Sequence, residues 1–238
     1  MKALLFHSLW GWKESLAAAS AYASDSGFDG LEMTLHHPAV KACSRNEIKQ
    51  LLDIKKQQLI IEITTGGGYV PDLIEPMGKH LEAITEGLEQ ADELSPLRIN
   101  LITGSDSWCL DEQHDFLEQA ICLSRQASCP VSFETHRSRS LFNPWLIPEL
   151  LRAHPQLRLT ADLSHWCVVS ERLMTPDLKP IQAMAPHVDH IHARIGHDQG
   201  ASVSDPFAVI WQEELRAHMS CWQLFASQVN TRRGPLTL

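Results

Sequence analysis

The chain has 238 residues, of which 44% are hydrophobic, and its 20 basic and 29 acidic residues give a formal charge of −9 at pH 7. This hydrophobic content excludes an intrinsically disordered chain, and the acidic balance argues against a nucleic-acid-binding protein, because phosphate contacts need a basic surface. The sequence contains no run of about 18 apolar residues to span a membrane, and the apolar run within Met1–Leu9 is too short for a secretory signal.

The six cysteines are scattered along the chain, and none of them forms a CxxC motif. In a chain of this length, such a scatter is typical of reduced thiols and not of a disulfide framework. We therefore expect a globular, cytoplasmic protein.

Seven short apolar runs follow one another along the chain, each followed by a helical pattern. They do not alternate with polar residues, which is typical of parallel strands covered on both faces. The predicted strands are Ala3–His7, Gly30–Thr34, Leu59–Thr64, Leu97–Thr103, Val131–Thr135, Leu157–Asp162 and Val188–Arg194. Seven strand–helix units predict a parallel α/β fold, either an open doubly wound sheet or a closed (β/α)8 barrel.

The helical segments carry recognisable start signals. Ser44-Arg45-Asn46-Glu47 has the pattern of a capping box, and Asn143-Pro144 places a cap residue before a proline. An apolar stripe at steps of three and four predicts a helix over Ile74–Leu88, and a long last helix is predicted from about Pro206 to Gln228.

No phosphate-binding fingerprint accompanies these elements. Gly66-Gly67-Gly68 lacks the lysine and the spacing of either glycine-rich motif, so we interpret it as a loop that needs positive φ angles. No linker divides residues 1–238, which predicts a single domain. Gly234–Leu238 is predicted to be a turn and the first residues of an eighth strand, so we expect a barrel that is incomplete at its carboxyl terminus.

Polar and ionisable residues end several of the apolar strands. In a parallel α/β fold these strand ends lie at one edge, where functional groups gather. Glu134 and His136 follow each other on one face of the fifth strand, and the alternative for Glu134 is a pair with Arg137 or Arg139. Glu32 and Glu62 end earlier strands, where they either hold substrate hydroxyls or pair with basic residues.

The sixth and seventh strands end in histidines. Asp162 and His165 form a D-x-x-H turn, in which Asp162 either binds a metal or caps the next helix. In the seventh strand His190, His192 and Arg194 alternate with apolar residues, so they share one face, and a metal-binding role is favoured for His192. Two carboxylates and an imidazole suit Mn²⁺, Mg²⁺, Co²⁺ or Zn²⁺, and the ligand set does not choose among these ions.

The sequence resembles the xylose isomerase-like TIM-barrel superfamily, in particular its sugar phosphate isomerase/epimerase-type members. The resemblance follows the strand order along the whole chain and is most specific from Glu134 onward. It is carried by Phe133–Arg137, Ala161–Trp166 and His190–Gly196, followed by Gln199-Gly200 and Asp205-Pro206. The implied fold is a (β/α)8 TIM barrel.

The resemblance also implies a division of roles. Glu134, Asp162 and His192 would ligate a divalent metal, while His165 and Arg194 would contact substrate oxygens. His136, beside Glu134, is a further candidate for substrate contact, and Glu134 would be one member of a catalytic acid–base pair. The superfamily usually carries a second glutamate on the eighth strand, in a segment that continues beyond a stretch like Gly234–Leu238.

Three functional hypotheses follow. The first is a metal-dependent isomerase or epimerase of a small sugar, sugar phosphate or related polyol-ketone, acting through an enediolate. The second is a truncated barrel that binds a ligand without catalysis, with unpaired strand edges that favour association between copies of the chain. The third is an apurinic-site endonuclease, which needs three zinc ions and a basic DNA-facing surface, against the charge of −9.

Overall fold

The computed structural model describes residues 3–228 and 235–238, and its centre is a parallel seven-stranded sheet in the order β1 to β7. Each strand pairs in parallel with the next one along the chain. The strands are β1 Phe6–Ser8, β2 Gly30–Thr34, β3 Gln58–Thr64, β4 Arg98–Ile102, β5 Val131–Glu134, β6 Leu159–Ala161 and β7 Val188–Ile191. The seven predicted strands are therefore confirmed, with most ends shifted by one to three residues.

The last residues of the chain join the first strand to the seventh. The amide of Leu238 donates to the carbonyl of Leu4 at 2.8 Å, and the amide of Ile191 donates to the carbonyl of Thr237 at 2.9 Å. Thr237 thus bridges in parallel to both neighbours. These contacts confirm the predicted start of an eighth strand and the barrel architecture, while Gly234, part of the same prediction, lies outside the described residues.

Nine α-helices occur within the described residues, most of them in the connections between strands. They are α1 Leu16–Asp25, α2 Pro38–Lys41, α3 Arg45–Lys55, α4 Met77–Asp92, α5 Leu110–Ser124, α6 Ile147–Ala153, α7 Leu163–Ser170, α8 Lys179–Met184 and α9 Gln212–Gln228. Short 3₁₀ turns at Pro144–Leu146, Ala185–His187 and Val209–Trp211 complete the connections. In this part of the chain, no helix is both long enough and apolar enough to cross a membrane.

Local chemistry explains where the helices begin. Ser44 and Glu47 form the predicted capping box of α3, with each side chain accepting a hydrogen bond from the other residue's amide. The prediction for α4 is wrong at its start, because the helix begins after Pro76 and leaves Ile74 86% exposed. Proline keeps the preceding residue out of the helical region, which accounts for this late start.

The last helix also begins later than predicted. Asp205 accepts a hydrogen bond from the amide of Phe207 at 2.9 Å, so the residues after Pro206 form a turn instead of a helix. The α-helix then starts at Gln212, after the 3₁₀ turn. The exposed side chains of Phe207, Val209 and Ile210 lie in this connection.

The hydrophobic core lies between the strands and the surrounding helices. Ile61 in β3, Leu101 in β4 and Leu159 in β6 are fully buried, as are Ile84 in α4 and Phe116 in α5. Because these outward-facing strand residues are apolar, the polar residues of the same strands are left facing the barrel interior. This alternation places polar and ionisable side chains inside the barrel, at both of its ends.

The seventh strand contains a β-bulge near its start. Leu159 of β6 pairs with Val188, but the next residue, Thr160, pairs with His190, so Asp189 is an extra residue in β7. Bulges re-aim the side chains that follow them and occur often near functional sites. His190, which follows the bulge, is completely buried, and its ring centroid lies 5.0 Å from that of His192.

Candidate active site

A cavity of about 530 Å³ opens at the carboxyl ends of the strands. Its volume falls within the usual range for small-molecule sites. It is also lined by Phe6 and Ile191, from the two strands next to the eighth position, and by Leu238 in the eighth position itself. Its ionisable lining residues are Glu32, Glu62, Tyr69, Glu134, His136, Arg137, Asp162, His165, His192 and Arg194.

Glu134, Asp162 and His192, here called the ligand cluster, converge in this cavity. The Nδ1 atom of His192 lies 3.5 Å from Oε2 of Glu134 and 3.8 Å from Oδ2 of Asp162. One ligand atom from each of the three residues lies within 4.8 Å of the other two. The structure therefore brings together the three side chains that the sequence singles out, from the ends of three consecutive strands.

The carboxylates of the ligand cluster are held by neighbouring donors. Asn100 on β4 donates from Nδ2 to Oε2 of Glu134 at 2.7 Å. Arg139, one of the partners considered for Glu134, instead donates to the backbone carbonyl oxygens of Thr65 and Gly68. Glu134 therefore stays directed at the cavity, held by a neutral amide.

Asp162 has the two roles that the sequence left as alternatives. Its Oδ1 accepts a hydrogen bond from the amide of Ser164 and so caps α7, while the Ser164 hydroxyl donates to the same oxygen at 2.5 Å. Its Oδ2 accepts from Nη2 of Arg194 at 2.7 Å and faces His192. The cap thus orients one oxygen and leaves the other to the cavity.

Arg194 and His165 border the ligand cluster on the Asp162 side. The guanidinium of Arg194 donates to Oγ of Ser164 at 2.9 Å and lies with Nη2 2.5 Å from Nε2 of His165. His165 packs against His136, with ring centroids 3.8 Å apart. The three predicted substrate-contacting residues thus form one wall of the cavity.

The charges in this site shift one another's pKa values. Burial alone lowers the pKa of His192, but Glu32 and Glu134 raise it well above its usual value. Burial alone raises the pKa of Glu134, but His192 lowers it to about 2. For Asp162, burial is likewise outweighed, chiefly by Arg194, and its pKa lies well below the usual value. The ligand cluster thus consists of ionised carboxylates around an imidazolium at neutral pH.

Two groups beside the ligand cluster, His165 and Glu62, are instead uncharged at pH 7. Burial lowers the pKa of His165 to about 3, so this ring is neutral at pH 7. Burial, followed by repulsion from Glu134 and Glu32, raises the pKa of Glu62 to about 8. The hydroxyl of Tyr69 donates to Oε1 of Glu62 at 2.9 Å. Glu62 is therefore a carboxylic acid that retains its proton near neutral pH, on the cavity wall.

Tyr69 and Ser164 are the site residues that the sequence analysis missed. Tyr69 follows the three glycines after β3, and a lone aromatic residue in this glycine-rich loop is the signal available in the sequence. Gly66 and Gly67 do have the predicted positive φ angles, of 68° and 95°. Ser164 lies inside the D-x-x-H turn, and only its contacts to Asp162 and Arg194 reveal its role.

The donor set fits a divalent metal. Two atoms bound to one ion at bonds of about 2.1 Å in tetrahedral geometry lie about 3.4 Å apart, close to the 3.5 and 3.8 Å separations around Nδ1 of His192. Carboxylate oxygens and an imidazole nitrogen are accepted by Zn²⁺, Mn²⁺, Co²⁺ and Mg²⁺ in varying preference. Two other groups have compatible spacing, namely Glu32, His190 and His192, and Glu134, His136 and His165.

Comparison with known proteins gives similarity of structure only. No protein-family model matches the chain, and no curated protein matches it. D-allulose 3-epimerase from Methylomonas sp. has a TM-score of 0.62 at 15% identity, over 100% of this chain and 84% of that chain. The same enzyme has been solved in complex with D-allulose.

Two further solved structures carry metal ions. A xylose isomerase-like TIM barrel protein from Mycobacterium smegmatis, in complex with magnesium, has a TM-score of 0.63 at 13% identity, over 99% of this chain and 89% of that chain. The IOLI protein, with a bound zinc atom, has a TM-score of 0.60 at 9% identity, over 97% of this chain and 99% of that chain. The resemblance seen in the sequence is thus confirmed for the fold: this chain has the fold of the xylose isomerase-like TIM barrel proteins.

Proposed function

We propose that this chain is a divalent-metal-dependent isomerase or epimerase of a small sugar, sugar phosphate or related polyol-ketone. The observation that carries the proposal is the convergence of Glu134, Asp162 and His192 around one point of the cavity. A structure with the same fold holds D-allulose and another holds magnesium, which supports a carbohydrate and a metal as the ligands here. The metal is Mn²⁺, Mg²⁺, Co²⁺ or Zn²⁺.

The reaction removes a proton from a carbon next to a carbonyl group. A bound divalent ion supplies Lewis-acid stabilisation of the negative charge that develops on the substrate oxygens. Glu134, which is ionised and held by Asn100, takes the proton as general base. Arg194 donates hydrogen bonds to substrate oxygens, and the neutral rings of His165 and His136 orient the substrate on the same wall.

A second group must return the proton to the neighbouring carbon or to the other face. Glu62 is the proposed acid, because it lines the cavity and carries a proton near pH 7. It lies on β3, two strands from Glu134 on β5, and Tyr69 donates a hydrogen bond to it. Transfer of its proton to the enediolate completes the isomerisation or epimerisation, and proton exchange with solvent then removes the proton from Glu134 and restores the one on Glu62.

Metal content and turnover test the proposal together. Protein purified without chelator should contain a divalent ion, and with added Mn²⁺ it should convert members of a panel of ketoses and inosose-like compounds, D-allulose included. Glu134→Gln should abolish turnover. Absence of any bound ion, together with an unaltered melting curve for Glu134→Ala, would contradict the proposal. Metal and sugar binding without turnover in the wild type would favour the non-catalytic ligand-binding barrel.

The remaining expectations concern the state of the protein. We propose a single-domain protein of the cytoplasm, and all six cysteines are free thiols, which is consistent with a reducing compartment. We also propose that copies of the chain associate, which the exposed side chains of Phe207, Val209 and Ile210 support. Light scattering that shows only monomers would contradict this last proposal.

A further inference from the structure

The two ring nitrogens of His192 face different carboxylates. Nε2 lies 3.0 Å from Oε1 of Glu32, on β2, whereas Nδ1 faces Glu134 and Asp162 at 3.5 and 3.8 Å. Glu32 therefore approaches the imidazole on the nitrogen opposite to the ligand cluster. The side chain of His192 is only 19% exposed, so the ring is enclosed between these groups.

We infer that Glu32 is a positioning residue, which holds the Nε2 hydrogen of His192 and thereby presents Nδ1 as the metal-binding nitrogen. A neutral imidazole carries one hydrogen, and a metal needs the nitrogen without it. A carboxylate accepts hydrogen bonds and donates none, and Glu32 lies within hydrogen-bond distance of Nε2 at 3.0 Å, closer than Glu134 and Asp162 lie to Nδ1, so the hydrogen stays on Nε2. The inference rests on the proposed metal site and adds the atom through which His192 binds.

Glu32 is itself held in place by a second histidine, His190. It is 4% exposed, and its second oxygen lies 3.4 Å from Nε2 of His190. Nδ1 of His190 is in turn 2.8 Å from Oγ1 of Thr237, the residue that bridges β1 and β7. A chain of contacts from Thr237 through His190 and Glu32 thus ends on His192, which limits rotation of its ring.

Such a carboxylate behind a metal-binding histidine has a measurable effect. It fixes the ring orientation and raises the basicity of the ligating nitrogen, and its loss typically lowers metal affinity 10- to 100-fold. Glu32→Gln keeps the shape of the side chain but removes the charge. We therefore expect zinc to bind this variant about 10- to 100-fold more weakly than the wild type.

The experiment is a zinc titration of the metal-free, full-length chain against a competing chelator. Glu86→Gln serves as control, since it removes the same charge from an exposed position on α4, and its affinity should equal that of the wild type. Equal affinities of Glu32→Gln and the wild type would overturn the inference while leaving the proposed function intact. A wild type that binds no zinc would overturn both.

A second measurement needs no variant. Long-range ¹H–¹⁵N spectra of the zinc-bound wild type should show His192 with its hydrogen on Nε2 and zinc on Nδ1. Coordination through Nε2 would overturn the inference. So would the binding of a second zinc ion by Glu32, His190 and His192, whose spacing is compatible with a site of their own.

Discussion

The two ends of the barrel bury charge in different ways. At the amino end, Asp189 forms a two-point ion pair with Arg158 at 2.6 and 2.8 Å, and Arg98 approaches it at 3.8 Å; these three residues are called the floor cluster. At the carboxyl end, four carboxyl groups line the cavity together with two arginines and three histidines. Its carboxyl groups are those of Glu32, Glu62, Glu134 and Asp162.

This difference distinguishes the floor cluster, which stabilises the fold, from the ligand cluster, which is available to bind a ligand. In the floor cluster, charges of opposite sign are in direct contact and none of the three residues lines the cavity at the other end, a pattern typical of a structural ion pair. At the other end, the ionised carboxylates of Glu134 and Asp162 border a cavity of about 530 Å³, which has room for a ligand. The comparison predicts that changes at the floor alter stability, whereas changes at the ligand cluster alter metal binding.

The largest effect is expected for Asp162→Asn. Asparagine retains an oxygen for the cap of α7 but loses the charge that faces His192. Zinc affinity should fall by more than the roughly 100-fold that is the largest loss expected for Glu32→Gln. The metal-free protein should keep its helical circular dichroism. Chelator competition measures the affinity, and binding as tight as in the wild type would remove Asp162 from the site.

Asp189→Asn is the matching change at the floor. It leaves Arg98 and Arg158 without their carboxylate, and Arg98 is almost fully buried. We expect a loss of about 3 kcal/mol in the free energy of unfolding, or roughly 6–12 °C in Tm for a chain of this size. Zinc affinity should be unchanged, and a weakened affinity would show that the two ends are not independent.

The fold was predictable from the sequence because parallel strands have a simple pattern. Near-continuous apolar runs such as Leu59–Thr64 located all seven strands, and β2 has the predicted bounds. The helix starts at Ile74 and Pro206 were wrong, because periodicity does not register the local effects of Pro76 and Asp205. The hydrophobic pattern of the sequence predicts which elements form, whereas single residues determine where those elements begin and end.

The candidate site was predictable only as a set of residue types at one edge. Glu134, Asp162 and His192 were found because an apolar strand gives no packing reason for a carboxylate or imidazole at its end. The contact between Glu32 and His192 joins residues 160 positions apart, and the bulge at Asp189 helps to aim the imidazoles. Such long-range contacts depend on barrel closure, which periodicity does not describe.

The pH dependence of stability tests the protonated state of Glu62. Its pKa is raised to about 8 in the folded protein from a reference value of 4.5, so the folded protein loses stability as pH rises between these values. Glu62→Gln removes this loss. In metal-free protein, the Tm of the variant relative to the wild type should rise between pH 5 and pH 9 by at least about 2–4 °C, which corresponds to 1 kcal/mol. A constant difference would show that Glu62 is ionised throughout.

Thr237→Val has the smallest expected effect and tests the link between the two ends. Valine keeps the shape of Thr237 but leaves Nδ1 of His190 without its partner at 2.8 Å, at a cost of about 1 kcal/mol in unfolding free energy. Zinc affinity should change less than in Glu32→Gln, because His190 and Glu32 lie between Thr237 and His192. If both variants weakened zinc equally, the residues that close the barrel would set the geometry of the metal site, and the division between the two ends would be wrong.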